Sequence, residues 1–476
     1  MHDLTDTIVA LATPPGTGAI AIVRIAGPRA VAAVGELWGG KKKLADQASH
    51  TVHFGTIRYP AREGEERRIL DEVLVTIFRA PNSYTGDEAV EISCHGGPYI
   101  VRELIRVLTG LDGLRLAQPG EYSLRAFLNG KLDLSQAEAV ADLIGASSRA
   151  AHDLAVNQLR GGYSHELQGL RQRLIDFAAL VELELDFGEE DVEFANREEL
   201  KTLVDQIRGV VLDMAQSFAL GNALKEGIRT AIVGRPNAGK STLLNALLRE
   251  ERAIVSATPG TTRDTIEEVL NIDGIAFRLT DTAGIRSTED DIEALGVERS
   301  RAAAAASRLL IYVFDVLETS PAQVHADLAE WAGPETRLLV VANKMDLNPY
   351  TRYEQYATPG EDGLPAVAFT EEQWVPMVAE ERMNLGLLRD RIHAAALLNA
   401  GDTSDGTIVS NARHHEALLQ TATALDDVLM HLREGTSGDF VALDIRRALH
   451  HLGEITGEVS TDDLLESIFG RFCIGK

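Results

Sequence analysis

Cysteine is nearly absent: the 476 residues include only Cys94 and Cys473. Two thiols make no disulfide framework, which excludes the stapled secreted class and predicts a reducing, cytoplasmic setting. Basic charge is also in short supply, with 46 Lys+Arg against 72 Asp+Glu and a formal net charge of −26. That deficit argues against a protein whose main work is gripping phosphate backbones by charge alone. No apolar run approaches the ~18 residues a membrane span needs, so no membrane partner is expected. The opening Met1-His2-Asp3-Leu4-Thr5-Asp6 lacks the basic region and apolar core of a signal peptide. Internal repeats and long low-complexity segments are missing too. What is present, 45% hydrophobic and 25% charged residues, describes a soluble globular chain. Its length predicts about three domains of ~150 residues each.

The charge is unevenly spread. Residues 1–128 carry 14 basic and 15 acidic side chains, a net −1, and 225–396 carry 18 and 27, a net −9. The stretches 129–224 (8 against 17) and 397–476 (6 against 13) give −9 and −7. These last two read as amphipathic helices, with apolar residues three or four apart: Leu167, Leu170, Leu174, Phe177, Leu180 and Val181 in one. The other has Leu418, Ala422, Leu425, Val428 and Leu429, then Leu443, Ile445, Leu449 and Leu452. Both fit a helical bundle with acids on the wet face. The acidic cluster Glu182, Glu184, Asp186, Glu189, Glu190, Asp191 and Glu193 reads as a solvated helix end and loop before it reads as a metal site. Residues 1–128 differ. Short β-rich runs at 19–25, 51–59, 72–78 and 89–94 alternate with Gly/Pro/Asn punctuation, and helices are expected near 28–37 and 99–108, which makes a mixed α/β domain.

The sharpest motif is Gly234-Arg235-Pro236-Asn237-Ala238-Gly239-Lys240-Ser241, between an apolar strand at 228–233 and a helix starting at Thr242. A glycine-rich turn frees backbone N–H groups to cradle phosphates, and the helix N-terminus adds partial positive charge. Lys240 suits β/γ-phosphates and the Ser241 hydroxyl suits Mg²⁺. Three further elements select the nucleotide. Thr262, in Pro259-Gly260-Thr261-Thr262-Arg263-Asp264, sits where a switch loop supplies a second Mg²⁺ ligand. Asp281-Thr282-Ala283-Gly284 follows an expected strand at 275–280. Asn343-Lys344-Met345-Asp346 closes another at 337–342. The Asp346 carboxylate suits the guanine N1 and N2 hydrogens, which adenine does not offer. In this order and context the motifs predict a Ras-like P-loop domain that binds and hydrolyses GTP. Ile285 follows Gly284 where a Ras-like protein has its water-orienting glutamine, so another residue must position the water. Asn237 fits two readings equally, a turn former or a neutral oxygen ligand for a monovalent cation.

The flanks carry a resemblance. Ala80-Pro81-Asn82-Ser83-Tyr84-Thr85-Gly86, Cys94-His95-Gly96-Gly97, Pro119-Gly120-Glu121-Tyr122-Ser123 and the run from Arg125 to Leu134 resemble the MnmE (TrmE) family of TRAFAC-class tRNA modification GTPases. So do Glu454-Ile455-Thr456-Gly457-Glu458 and Phe472-Cys473-Ile474-Gly475-Lys476. The resemblance implies a multidomain α/β chain. A folate-binding and dimerisation domain takes 1–128, a discontinuous all-α helical domain takes 129–224 and 397–476, and an inserted GTPase domain takes 225–396. It implies a homodimer that assembles, as a heterotetramer, with an FAD-dependent partner, MnmG (GidA). Together they build a carboxymethylaminomethyl or aminomethyl group on C5 of the wobble uridine of certain tRNAs. The one-carbon donor is expected to be a tetrahydrofolate derivative (5-formyl- or 5,10-methylene-tetrahydrofolate).

Position by position, Asn237 falls on the family's K⁺ ligand, and Ser256, Thr258 and Thr261, in the loop with Ala257, Pro259 and Gly260, complete that site. Ser241 and Thr262 match the Mg²⁺ ligands. Glu293 matches the glutamate that orients the attacking water. Arg24, Glu91, Lys131 and Lys476 match the folate positions, and Cys473 matches a position with a possible chemical role. One departure stands out. Where the family has a Ser-Ala-type guanine contact, the candidate strand here lies at 365–370, followed by 371–381 before Met383-Asn384-Leu385-Gly386. This predicts altered nucleotide affinity with guanine selectivity kept. A ribosome-assembly GTPase switch of the Era type is the alternative, but such proteins carry a basic RNA-binding appendage and these flanks are neutral or acidic. Fluorescent GDP bound to the protein should be displaced by GTP and left in place by ATP; equal competition by ATP would remove the guanine assignment.

Overall fold

The computed structural model describes residues 6–60, 67–186, 197–251, 268–280, 301, 304–333, 336–357, 367–397 and 407–475. The chain divides into two compact units, one of Met1–Ile144, Gln158–Asp205 and Thr423–Lys476, the other of Gly145–Asn157 and Gln206–Ala422.

The first unit opens with β1 (Thr7–Leu11), β2 (Ile20–Ala26), α1 (Ala30–Leu37), β3 (Thr51–Arg58), β4 (Ile69–Phe78), β5 (Ala89–His95), α2 (Pro98–Thr109) and β6 (Leu114–Leu116). The strands form one sheet in the order β3-β4-β5-β2-β1-β6, antiparallel throughout except for the β1–β6 pair. In β4, Asp71, Val73, Val75 and Ile77 are buried while Glu72 and Leu74 are exposed, as a half-buried strand requires. Val34 and Leu37 of α1 and Leu104 and Leu108 of α2 close the buried face. The opposite face leaves Ile20, Val52, Phe54 and Leu74 exposed. All four expected strands and both expected helices are found, with ends shifted by up to three residues. β1 and β6 went unpredicted because five and three residues are too few to show a pattern.

Helices follow: α3 (Glu121–Leu128), α4 (Leu134–Gly145), α5 (Arg149–Leu159), α6 (Ser164–Asp186) and α7 (Arg197–Glu226). Near the C-terminus come α12 (Ala412–Glu434), α13 (Gly438–Thr456) and α14 (Asp462–Phe469). Within the first unit Leu124, Leu134, Ala137, Leu465 and Phe469 make a separate core. The buried stripe of α13 is Val441, Ala442, Ile445, Ala448, Leu452 and Ile455. Leu443, expected in that stripe, is 54% exposed because its neighbours Ala442 and Asp444 take the inward positions. Of the acidic cluster, 189, 190, 191 and 193 lie outside the described residues.

The second unit holds β7 (Ile228–Val233), α8 (Lys240–Glu251), β8 (Glu268–Ile272), β9 (Ile275–Thr280), β10 (Leu309–Asp315), α9 (Pro321–Trp331), β11 (Arg337–Asn343), α10 (Glu354–Ala357), β12 (Trp374–Pro376) and α11 (Leu385–Leu397). Its sheet runs β12-β11-β10-β7-β9-β8, parallel except for the β8–β9 hairpin. Asp273 and Gly274 turn that hairpin at φ +49° and +87°, the left-handed pair a two-residue turn demands. Every residue of β10 is buried, as expected of a central parallel strand covered on both faces. One core includes Leu243, Leu247, Phe277 and Leu388, the other Tyr312, Phe314, Val324 and Leu328.

The expected strand at 365–370 needs correction. Residues 365 and 366 lie outside the described residues, 367–370 form no strand, and the sixth strand of the sheet is β12. Phe369 is buried and stacks on Trp374 with ring centroids 6.2 Å apart. Its apolar neighbourhood therefore reflects side-chain docking without backbone pairing. Among the described residues no helix is long and apolar enough to cross a membrane.

Gly120, which precedes α3, has φ +66°, and a Cβ there would lie 2.3 Å from the Phe469 carbonyl oxygen. Gly120→Ala should therefore destabilise the first unit by about 1–3 kcal/mol, read as a lower thermal midpoint.

Candidate nucleotide site

The phosphate loop leaves β7 at Gly234, whose φ is +144°; a Cβ there would sit 2.0 Å from the Val313 carbonyl oxygen. Asn237 adopts φ +59°, a conformation asparagine tolerates better than most residues. Gly239, at φ +96°, lets the loop approach Asn343, whose Nδ2 would be 2.2 Å from a Cβ. Lys240 opens α8 and its Nζ donates to the carbonyls of Gly234 and Arg235, both at 2.8 Å. Burial holds this amine below the usual lysine range. Ala238 is buried, and Ser241 and Thr242 in the first turn of α8 are exposed.

Asn343, 3% exposed at the end of β11, joins the loop to the segment after β12. Its Nδ2 donates to the Ala238 carbonyl at 2.9 Å and its Oδ1 accepts from the Ala379 N–H at 3.0 Å. Lys344 follows at φ +64° with its ammonium 2.6 Å from Asp315 Oδ2. Burial pushes the Asp315 carboxyl up, but the Lys344 ammonium and the Leu317 N–H outweigh it and hold the group below the usual carboxylate range. The Asp346 side chain is exposed. The β12–Ala379 segment is what sequence reasoning missed. Its signal was the apolar run Trp374-Val375-Pro376-Met377-Val378-Ala379, masked by a proline that an edge strand accepts at its end.

Arg235 carries a brace. Its Nε and NH2 donate to the two oxygens of Asp327 at 2.8 and 3.0 Å. The buried Tyr312 hydroxyl donates to Asp327 Oδ2 at 2.6 Å, and burial foremost, then the carboxylate, pushes that phenol above its ordinary range. The second loop residue is thus clamped to α9 and β10.

In the first unit Arg24 and Glu91 are directly opposite on β2 and β5. Arg24 Nε and NH2 donate to Glu91 Oε1 at 3.0 and 2.8 Å, and NH1 donates to the Gly475 carbonyl at 3.4 Å. The guanidinium also lies 5.8 Å from the Tyr84 ring centroid and 5.6 Å from that of Tyr122. Lys131 Nζ donates to the Pro81 carbonyl at 3.0 Å. Ile474 bridges to Pro119, and Cys473 is exposed. Ser256, Ala257, Thr258, Pro259, Gly260, Thr261, Thr262, Asp281, Thr282, Ala283, Gly284, Glu293 and Lys476 lie outside the described residues.

A mainly parallel sheet, a phosphate loop between β7 and α8 and an Asn-Lys-x-Asp segment at the end of β11 define a P-loop GTPase. Residues 7–131 match the family model of the GTP-binding protein TrmE N-terminus, and 134–473 match that of the MnmE helical domain. The tRNA modification GTPase MnmE of Cytophaga hutchinsonii is 48% identical over 99% of this chain and 98% of its own. That of Christiangramia forsetii is 47% identical over 99% and 100%. A GTP-binding protein of Sulfolobus solfataricus, solved with GDP, is 20% identical over 48% of this chain and 66% of its own, at a TM-score of 0.27 too low to carry weight. The chain belongs to the MnmE family of tRNA modification GTPases.

Asp327→Asn keeps the volume and removes the charge that clamps Arg235. GDP affinity should fall roughly fivefold, the scale of one partly exposed charge-assisted pair, with little change in the thermal midpoint. Fluorescent-GDP titration reads it.

Proposed function

We propose that this GTPase is potassium-stimulated and works with the FAD-dependent partner MnmG on tRNA. The product is a carboxymethylaminomethyl or aminomethyl group at C5 of the wobble uridine, with a tetrahydrofolate derivative as one-carbon donor. The observation that carries this reading is the convergence of distant segments: Arg24, Glu91 and the C-terminal Gly475 share one hydrogen-bonded cluster, next to the tail that ends in Lys476. Glu91 suits the paired donors of a pterin, and Arg24, Lys131 and Lys476 suit its polar and carboxylate groups. The Arg24 and Glu91 side chains are 21% and 26% exposed, so neither is sealed from a ligand. Cys473, exposed on the same tail, is available for a chemical role.

In the second unit, the N–H groups of 234–239 and the start of α8 receive phosphates, and Lys240 turns from its own loop to the β/γ oxygens. The exposed Ser241 hydroxyl, with Thr262, suits Mg²⁺. The exposed Asn237 amide oxygen, with Ser256, Thr258 and Thr261, suits K⁺. These cations supply positive charge against that developing between the phosphates. Glu293 orients the attacking water, a task beyond the aliphatic Ile285. Asp346 accepts from guanine, and the loop that follows Ala379 stands as the fifth guanine-binding element. The domain division at 128, 224 and 396 is part of this reading; that both compact units are built from separated segments supports its discontinuity, while their own bounds fall elsewhere. A homodimer through the N-terminal domains is supported by the exposed apolar sheet face, where Ile20 and Phe54 are 67% and 69% exposed.

GTP turnover should be faster in K⁺ than in Na⁺, and Asn237→Ala should equalise the two; equal rates in the parent protein would remove the potassium reading. In tRNA from a strain lacking this protein, nucleoside analysis should show loss of the modified wobble uridines. Unchanged uridines would overturn the tRNA assignment.

A further inference from the structure

In its last two turns α13 presents His450, His451 and Glu454, the one cluster of three metal-ligating side chains found among the described residues. Their ligand atoms all lie within 4.8 Å of one another. Glu454 stands between the imidazoles: Oε1 is 3.5 Å from His450 Nε2 and Oε2 is 3.1 Å from His451 Nδ1. Ligand atoms on a tetrahedral zinc with bonds near 2.05 Å are separated by about 3.3 Å, so both distances already bracket that edge. The third edge, between the two imidazoles, lies within 4.8 Å, and closing it toward the tetrahedral edge needs rotation of side chains that are 54%, 22% and 34% exposed.

We propose that His450, His451 and Glu454 bind one divalent transition metal of the zinc class, with water completing the coordination. The donor set decides the metal. Two imidazoles and one carboxylate favour Zn²⁺, Co²⁺, Ni²⁺ or Cu²⁺ over Mg²⁺, which wants oxygen ligands, so this site is chemically distinct from the nucleotide's Mg²⁺. The local field agrees. α13 ends at Thr456, so the negative end of its dipole lies in the turn that holds Glu454; the N–H groups of Gly457 and Val459 cap the Gly453 carbonyl. Of the nearby cations, Arg447 is engaged by Asp444 and Asp427 at 2.9 and 3.2 Å, and Arg171 pairs with Glu458. Both are therefore largely neutralised before a metal arrives. A bound ion ties His450 and His451 to Glu454 and stiffens the end of α13, just before Gly457 and α14.

The test is titration of the untagged, chelator-treated full-length protein with Co²⁺, followed by its visible absorption, and then competition by Zn²⁺. One equivalent should bind and be displaced by Zn²⁺ but not by millimolar Mg²⁺. His450→Ala and His451→Ala should each weaken binding by at least roughly tenfold while GTP turnover stays at the parent value. Glu454→Gln, which keeps the side-chain shape, should weaken it too. Absence of binding, or affinity unchanged in all three variants, overturns the site and leaves the histidines as surface ion-pair partners of Glu454.

Discussion

The second unit depends on where one buried amide can reach. Asn343 has a donor and an acceptor at the tip of its side chain, and each has a single backbone partner: the Ala238 carbonyl and the Ala379 N–H. Leaving either unpaired at 3% exposure would cost the desolvation of a polar group, about 1–3 kcal/mol. The phosphate loop and the segment after β12 are therefore held to β11 together. The close approach explains Gly239, which a side chain would drive into the amide. It also explains the short β12, which need only deliver Met377 and Ala379; the Met377 N–H donates to the Ala342 carbonyl and its own carbonyl accepts from Met345.

A comparable constraint organises the start of the first unit. Arg125 is fully buried and its guanidinium meets Asp6 at 2.5 Å and Glu121 at 2.9 Å. Arg115 shares both carboxylates, and desolvation, which would raise the Glu121 carboxyl, is outweighed by the two guanidiniums and the Gln118 N–H. A buried ion cluster of this kind adds little net stability against an apolar substitute, yet losing one partner strands the rest. Its effect is to fix α3 against the N-terminal strand. That in turn sets the Tyr122 hydroxyl on the Arg24 carbonyl at 2.8 Å, which ties α3 to β2.

Legibility followed locality. The β7–loop–α8 segment and the Asn-Lys-x-Asp turn were readable because their chemistry is written in consecutive residues, and strands β7 and β9 fall at the expected bounds. The pairing of Arg24 with Glu91, 67 residues apart, was not readable from spacing; it entered through family resemblance, and only the register of β2 on β5 gives it a physical cause. The Asp327 brace was silent because nothing in the pattern of α9 marks one acid as inward. The 365–370 segment misled because Val367 and Phe369 dock on a core without joining a sheet, and hydrophobicity alone does not separate those outcomes.

The placement of charge explains how an acidic chain receives a polyanion. Among the described residues, three cations belong to the phosphate loop and the Asn-Lys-x-Asp segment, and two are already matched by carboxylates: Arg235 by Asp327 and Lys344 by Asp315. Lys240 alone among these three is held by neutral carbonyl oxygens, and burial depresses its pKa because those dipoles replace water incompletely. An arriving phosphate would repel the carboxylates of the first two pairs as strongly as it attracts their cations. At Lys240 it would meet a charge whose desolvation is uncompensated. Attraction is thereby concentrated on the residue at the mouth of α8, where the helix dipole has the same sign. On the proposed site assignment, the net −26 works as a background that discourages non-specific polyanions, while one poorly neutralised lysine and a row of backbone N–H groups would admit the phosphates of a nucleotide.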